Sequence, residues 1–359
     1  MINKKRLIII IIIFAVLLVV LFTSGRIYNF FNSSDMLELN FQKGISFRLE
    51  NYKKDILFIN NEEMIAINNR GEISFRAETG ISDPAVCVSG DYILITDIGG
   101  TNAYLYKGDK LVNKFEMPNT IYCAKVNKNG RTVIATAESG YKGMFTVFSS
   151  SGEELYKWHS GSGYIADIDI SPKNDVVVSQ IVTDENFVVS KILFFDISKN
   201  EEIECAKYDN SLVSHVRFNS DSTFTALSDT GMSGFSSKCE NKFFVDFQGR
   251  TLVYYNTSNM NNIVLAFEGS VNDIIIEAYS HSGKLKGSFR PDESIDCIDV
   301  NGEMILMSSG RKIMTYTPTG NIKMKKDISH DISALKIFQG RKKAVLLGGS
   351  NAAIYNGIW

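Results

Sequence analysis

Proline is scarce in this chain of 359 residues, with five, and so are histidine, with four, and tryptophan, with two. Five prolines and 27 glycines exclude collagen-like and low-complexity classes. The histidines, His159, His215, His281 and His330, never fall into an HExxH pattern, and no GxSxG occurs, although HSGSGY at 159–164 resembles one. Linear motifs of zinc proteases and α/β-hydrolases are therefore absent. Five cysteines (Cys87, Cys123, Cys205, Cys239 and Cys297) are odd in number and form no CxxC, which argues against a disulfide framework or zinc cluster and predicts small core residues. A net charge of −2 with 44% hydrophobic residues argues against disorder and against nucleic acid as a partner.

What the chain does have is unevenly placed. Residues 7–22 read LIIIIIIFAVLLVVLF, and with Thr23, Ser24 and Gly25 they give a span able to cross a hydrocarbon core about 30 Å thick. Lys4, Lys5 and Arg6 precede it and only Arg26 follows closely, so the positive-inside bias places the amino end in the cytoplasm. The expected organisation is a cytoplasmic stub (1–6), a transmembrane anchor (7–25), a juxtamembrane tether (26–35) and an extracytoplasmic domain (36–359) in the cell membrane. A cleaved signal peptide is the competing reading.

After the anchor, apolar β-branched runs alternate with Gly, Asn, Asp and Ser clusters, which predicts an all-β domain. Three segments align without gaps: MFTVFSSSGEELYKW (144–158), IIEAYSHSGKLKGSF (275–289) and KIMTYTPTGNIKMKK (312–326). In each, an aromatic (Phe148, Tyr279, Tyr316) ends one strand and a glycine (Gly152, Gly283, Gly320) supplies the positive φ of a bulged hairpin turn. An apolar strand pair precedes each hairpin, as in IADIDISPKNDVVVS (165–179). Together they make a four-stranded meander, strands a to d. Starts of strand a near 45, 85, 121, 165, 212, 251, 295 and 332 match the spacing of propeller blades. All five prolines are expected between strands. The last copy ends without an outer strand, which MLELNFQ (36–42) can supply, closing the ring. The fold class is thus an eight-bladed β-propeller, with seven blades if Gln248-Gly249 is a hairpin turn rather than the passage into blade six.

These hairpin and strand patterns resemble WD40-like, quinoprotein-like and YVTN-type propellers, and with the anchor they resemble single-pass membrane propellers of clostridia-like bacteria. The resemblance covers nearly all of the chain after the anchor and implies a fold, not a chemistry. The WD40 Trp-Asp dipeptide and a periodic Trp are missing.

Aligned inner strands place Cys123, Asp167, His215, Cys297 and Ala334 at one equivalent position, and Lys125, Asp169, Arg217, Asp299 and Lys336 two residues later. Alternating signs predict a structural ring of inter-blade ion pairs, because charges this near a core need partners. The alternative is a metal or substrate site built from Asp167, His215 and Asp169, as in propeller lactonases. No cofactor, catalytic residue or metal ligand is assigned.

In a propeller the b–c and d–a connections share one face. That face is strongly acidic here, through residues such as Asp83, Asp97, Glu138, Asp209, Asp229, Glu240 and Asp292, with few bases such as Lys238. The a–b and c–d turns, with Lys53, Lys128, Lys173, Arg250 and Arg341 among others, are basic and are expected to look back at anionic lipid. Long glycine-rich loops on the acidic face, among them 229–241, offer Tyr141, Met232 and Phe235 as anchors for a partner. The expected function is a non-catalytic binding or assembly platform for an envelope protein or polymer, with a membrane-anchored hydrolase or lactonase as the alternative.

Overall fold

A computed structural model describes residues 36–39, 47–184, 187–220, 222–270, 273–349 and 352–358. The expected stub, anchor and tether lie outside the described residues. Among the described residues no helix is long and apolar enough to cross a membrane. Two units are distinguished, Met1–Leu37 and Glu38–Trp359, and the second carries the architecture that follows.

The described chain folds into eight four-stranded antiparallel sheets. Strand a begins at Phe47, Pro84, Ile121, Tyr164, Val213, Leu252, Cys297 and Ala334, within two residues of each expected start. Seven sheets run a-b-c-d in chain order. In the eighth, Met36–Leu39 takes the outer place beside Ala352–Asn356. Pro84 departs from the expectation for prolines: it opens strand a of blade two, the first position of an edge strand, where proline is tolerated.

Middle strands are mostly buried, Thr132–Thr136 along its whole length and Gly231–Ser236 up to its last residue, because the neighbouring blades cover both faces. Outer strands alternate, as in Asn241–Asp246. The core lies between blades. Phe145, Val147, Ile168 and Phe195 join blades three and four, while Phe58, Ile65, Phe338 and Val345 join blade one to blade eight and close the ring. Each such side chain, fully withdrawn from water, stabilises the fold by about 1.5–3 kcal/mol.

The repeated hairpins form as their glycines require. Gly152, Gly283 and Gly320 have φ of +88°, +77° and +85°, and the ladder is bulged at Phe148, Tyr279 and Tyr316. Gln248 and Gly249, also at positive φ, lie between Asn241–Asp246 and Leu252–Asn256, so they are the passage from blade five to blade six. This settles the count at eight.

Two expectations about cysteine and loops are corrected. Cys205, on strand d of blade four, and Cys239, on the c–d turn of blade five, form a disulfide with Cα atoms 4.6 Å apart. Their separation of 34 residues hid a pairing that only adjacent blades bring about. The 229–241 loop is mostly strand: Gly231–Ser236 is strand c of blade five, and Met232 and Phe235 are 0% and 1% exposed. Neither can anchor a partner. Gly231 and Gly234 are not loop glycines but make room for the Phe244 and Phe243 rings of strand d, which a Cβ at either position would strike. Lys238 and Glu240 consequently move to the basic face. Arg250 moves the other way, into the d–a passage, where it holds Glu277 through two hydrogen bonds of 2.7 and 3.3 Å.

Candidate functional site

Strand a is the inner edge of every sheet, so its outward N–H groups have no ladder partner within the blade. In blades five and eight, carboxylates of the preceding blade meet that need. Asp167 accepts from the Val216 amide at 3.0 Å, Asp169 from Phe218 at 2.8 Å and Asp299 from Ile337 at 2.7 Å. Each Asp stitches its own inner strand to the next. At the level of these aligned positions the chemistry is carboxylate to amide as much as ion pair.

Direct ion pairing occupies one arc of the ring. Lys336 lies 3.5 Å from Asp299 and 3.3 Å from Glu50, linking blades seven, eight and one. Burial works against the Lys336 ammonium, but the two carboxylates outweigh it and raise its pKa. Lys125, Asp169 and Arg217 share the level without touching one another within ion-pair distance. Burial likewise opposes the Lys125 charge, and Asp167 and Asp169 acting at longer range raise its pKa above the lysine range. Burial pushes the Asp169 and Asp299 carboxyls above the usual range, only partly offset by neighbouring cations and amides. For Asp167 burial is overcome by the His215 contact and by Lys125, and its carboxyl lies below that range. Glu50 was missed from sequence because Asn51 follows it in strand a of blade one, FRLENY, where an apolar residue follows each of the aligned charges.

A second arrangement at the axis joins Asp167 and His215, which the sequence placed at one level, to Thr257, which it did not. His215 Nδ1 is 2.9 Å from Asp167 Oδ2, and His215 Nε2 is 2.9 Å from Thr257 Oγ1. Thr257 lies just past strand a of blade six, beyond the periodic pattern, so spacing gave no signal for it. With both ring nitrogens engaged and Asp169 turned to the Phe218 amide, Asp167, His215 and Asp169 do not converge on a common point. Among the described residues no group of three or more His, Cys, Asp and Glu is arranged to hold a metal. Beside this relay an axial cavity of about 460 Å³ is lined by residues including Arg217, Tyr254, Tyr255, Asn256, Asp299 and Lys336.

The b–c and d–a connections carry the other candidate surface. Tyr141 is 49% exposed in the b–c loop of blade three, its ring 4.7 Å from that of His159. Of the three expected anchors it is the one at the surface. Ile98, Tyr122 and Tyr164 are also exposed on this face, between blades two and four. In blade four the b–c hairpin is long, with strands Val176–Asp184 and Phe187–Asp196 of nine and ten residues where the other b and c strands have five or six. The extra residues project about 10 Å beyond the face.

Residues 29–354 match a family of unknown function, DUF5711. The chain belongs to that family. No curated protein matches its sequence. Among solved structures, this DUF5711 chain is similar to BamB from Moraxella catarrhalis, at 11% identity and a TM-score of 0.56 over 89% of this chain and 98% of that one. It is also similar to the Dos1 propeller, at 10% identity and a TM-score of 0.57 over 89% and 93%. Identities this low attest the propeller fold.

Proposed function

We propose that this DUF5711 chain is a membrane-tethered, extracytoplasmic propeller of the cell envelope that binds other proteins as a non-catalytic platform. The observation that carries the reading is the contrast between axis and face. Three axial carboxylates are taken up by backbone amides of the next blade, while large apolar side chains and acids stand open on the b–c and d–a face. Apolar groups left in water on a rigid ring favour partner recognition. The Cys205–Cys239 disulfide supports an oxidising compartment. Residues 7–25 supply the anchor in this reading, and the basic face turns toward anionic lipid.

Cross-linking with mass spectrometry in intact cells tests it. The expected result is cross-links to envelope proteins concentrated on the acidic face, together with labelling of a cysteine engineered at Glu138 by an impermeant thiol reagent. Labelling only after lysis would overturn the topology, and a face without cross-links would overturn the platform.

One observation favours a hydrolase instead. Asp167, His215 and Thr257 are connected as an orienting carboxylate, a base and a hydroxyl, next to the axial cavity. Turnover of p-nitrophenyl acetate lost in both Thr257→Val and His215→Asn would select that reading. On the platform reading the protein shows no such turnover.

A further inference from the structure

The acidic face is not uniform. Between blades two and four it dips into a cavity of about 400 Å³ lined by Ile98, Gly99, Thr120, Ile121, Tyr122, Tyr164 and Ile165. The side chains at its mouth are open to water: Ile98 is 39%, Tyr122 38% and Tyr164 51% exposed. Tyr141 stands nearby on the b–c loop of blade three, and Phe187, 58% exposed, rises on the long hairpin of blade four. An apolar hollow with aromatic rims is the form of a site that takes one buried anchor side chain.

Charge around the hollow narrows the occupant. Asp97 ends strand b of blade two and Glu138 lies in the b–c loop of blade three. Neither carboxylate has a cationic partner among the described residues; Glu138 accepts only from the Asn119 amide at 3.2 Å. The surface already receives one cation, since Lys142 Nζ sits 5.2 Å from the centre of the Tyr164 ring. Acids without a cation and tyrosine rings that accept one both favour positive charge, and the hollow favours an apolar group between.

We propose that this groove docks an extended segment of an envelope protein that puts an aliphatic or aromatic side chain into the hollow and lysine or arginine against Asp97, Glu138 and the tyrosine faces. The assignment rests on the platform reading and specifies its partner chemistry. A second copy of this chain and an anionic membrane are the rival occupants. Among the described residues the lining of the hollow holds no base, which disfavours the membrane.

Fluorescence anisotropy of the full chain in detergent tests the groove with three labelled peptides. One alternates Lys with Leu and Tyr, one has Glu in place of Lys, and one has Ser in place of Leu and Tyr. The first is expected to bind at least about tenfold more tightly than the others. Tyr122→Ser with Tyr164→Ser should weaken it about tenfold, and Asp97→Asn with Glu138→Gln should weaken it and flatten its salt dependence. Tyr122 and Tyr164 are exposed and Asp97 and Glu138 half-buried, so melting temperatures are expected to stay unchanged in the tyrosine pair and to fall only slightly in the acid pair. Equal binding of the Glu peptide, or binding indifferent to both variant pairs, overturns the proposal.

A photo-cross-linking residue at Tyr164, compared in producing cells with one at Arg70 on the opposite face, separates the levels. Cross-links from Tyr164 to a segment combining apolar and basic residues support the groove. Cross-links from Arg70 alone, or from Tyr164 to a second copy or to lipid, overturn the groove and leave the platform standing. None from either position overturns both.

Discussion

Asp169 sits in the inner strand of blade four with its carboxylate on the Phe218 amide and no cation in direct contact. Removing it leaves a buried donor unsatisfied, so Asp169→Ala should cost about 1–3 kcal/mol in urea unfolding. Asp169→Asn keeps an acceptor and removes a charge that burial opposes, and should cost clearly less. The pH dependence has a definite sign. A carboxyl raised in the folded state binds more protons there than when unfolded, so its contribution to stability falls as pH rises from the ordinary aspartate value through the raised one. The wild-type protein should therefore lose stability across that interval relative to Asp169→Asn, as read from paired melts at successive pH values. Legibility at this scale was mixed. Lys125, Asp169, Arg217, Asp299 and Lys336 were found because inner strands share a register, whereas Thr257 lies outside that period and Met232 and Phe235 were mistaken for loop residues. Gly231 and Gly234 misled there: glycine beside an aromatic strand looks the same in sequence as glycine in a turn.

Hairpins were the most readable elements, since a bulged c–d turn needs positive φ and glycine meets that need without strain. Where another residue stands in the turn the positive φ is kept: Asn200 adopts φ +55° in blade four and Cys239 φ +63° in blade five, but the bulge stays beside the turn only in blade five, at Phe235, and in blade four lies further along, between Ile192 and Leu193. Glycines at positive φ also differ in their surroundings. A Cβ at Gly320 would lie 2.7 Å from the Phe289 Cβ, while one at Gly249 meets nothing within 4 Å. Gly249→Ala should thus cost only the backbone strain of about 1–2 kcal/mol, and Gly320→Ala more, by chemical denaturation of the two variants. Blade four's long b–c hairpin was not read as strand because its polar residues, TDEN at 183–186, resemble a turn cluster.

For the whole molecule, blade number followed from repeat spacing, and cross-linking between blades did not, because cysteines far apart in sequence meet only once the ring is built. The Cys205–Cys239 bridge leaves Cys87, Cys123 and Cys297 as thiols. Protein taken from its native compartment, denatured and alkylated, should carry three labels before reduction and five after it. Reduction, or Cys239→Ser, should lower stability by about 2–4 kcal/mol, measured as a drop in the unfolding midpoint. Closure of the ring carries a consequence for how the chain is made. Translation delivers Met36–Leu39 first and their sheet neighbours Ala352–Asn356 last. Blade eight thus cannot be completed until every residue through Asn356 has emerged. A ribosome that stalls early releases a product whose terminal sheet edge is bare, and that edge distinguishes a truncated chain from a finished one to any chaperone or protease that inspects it.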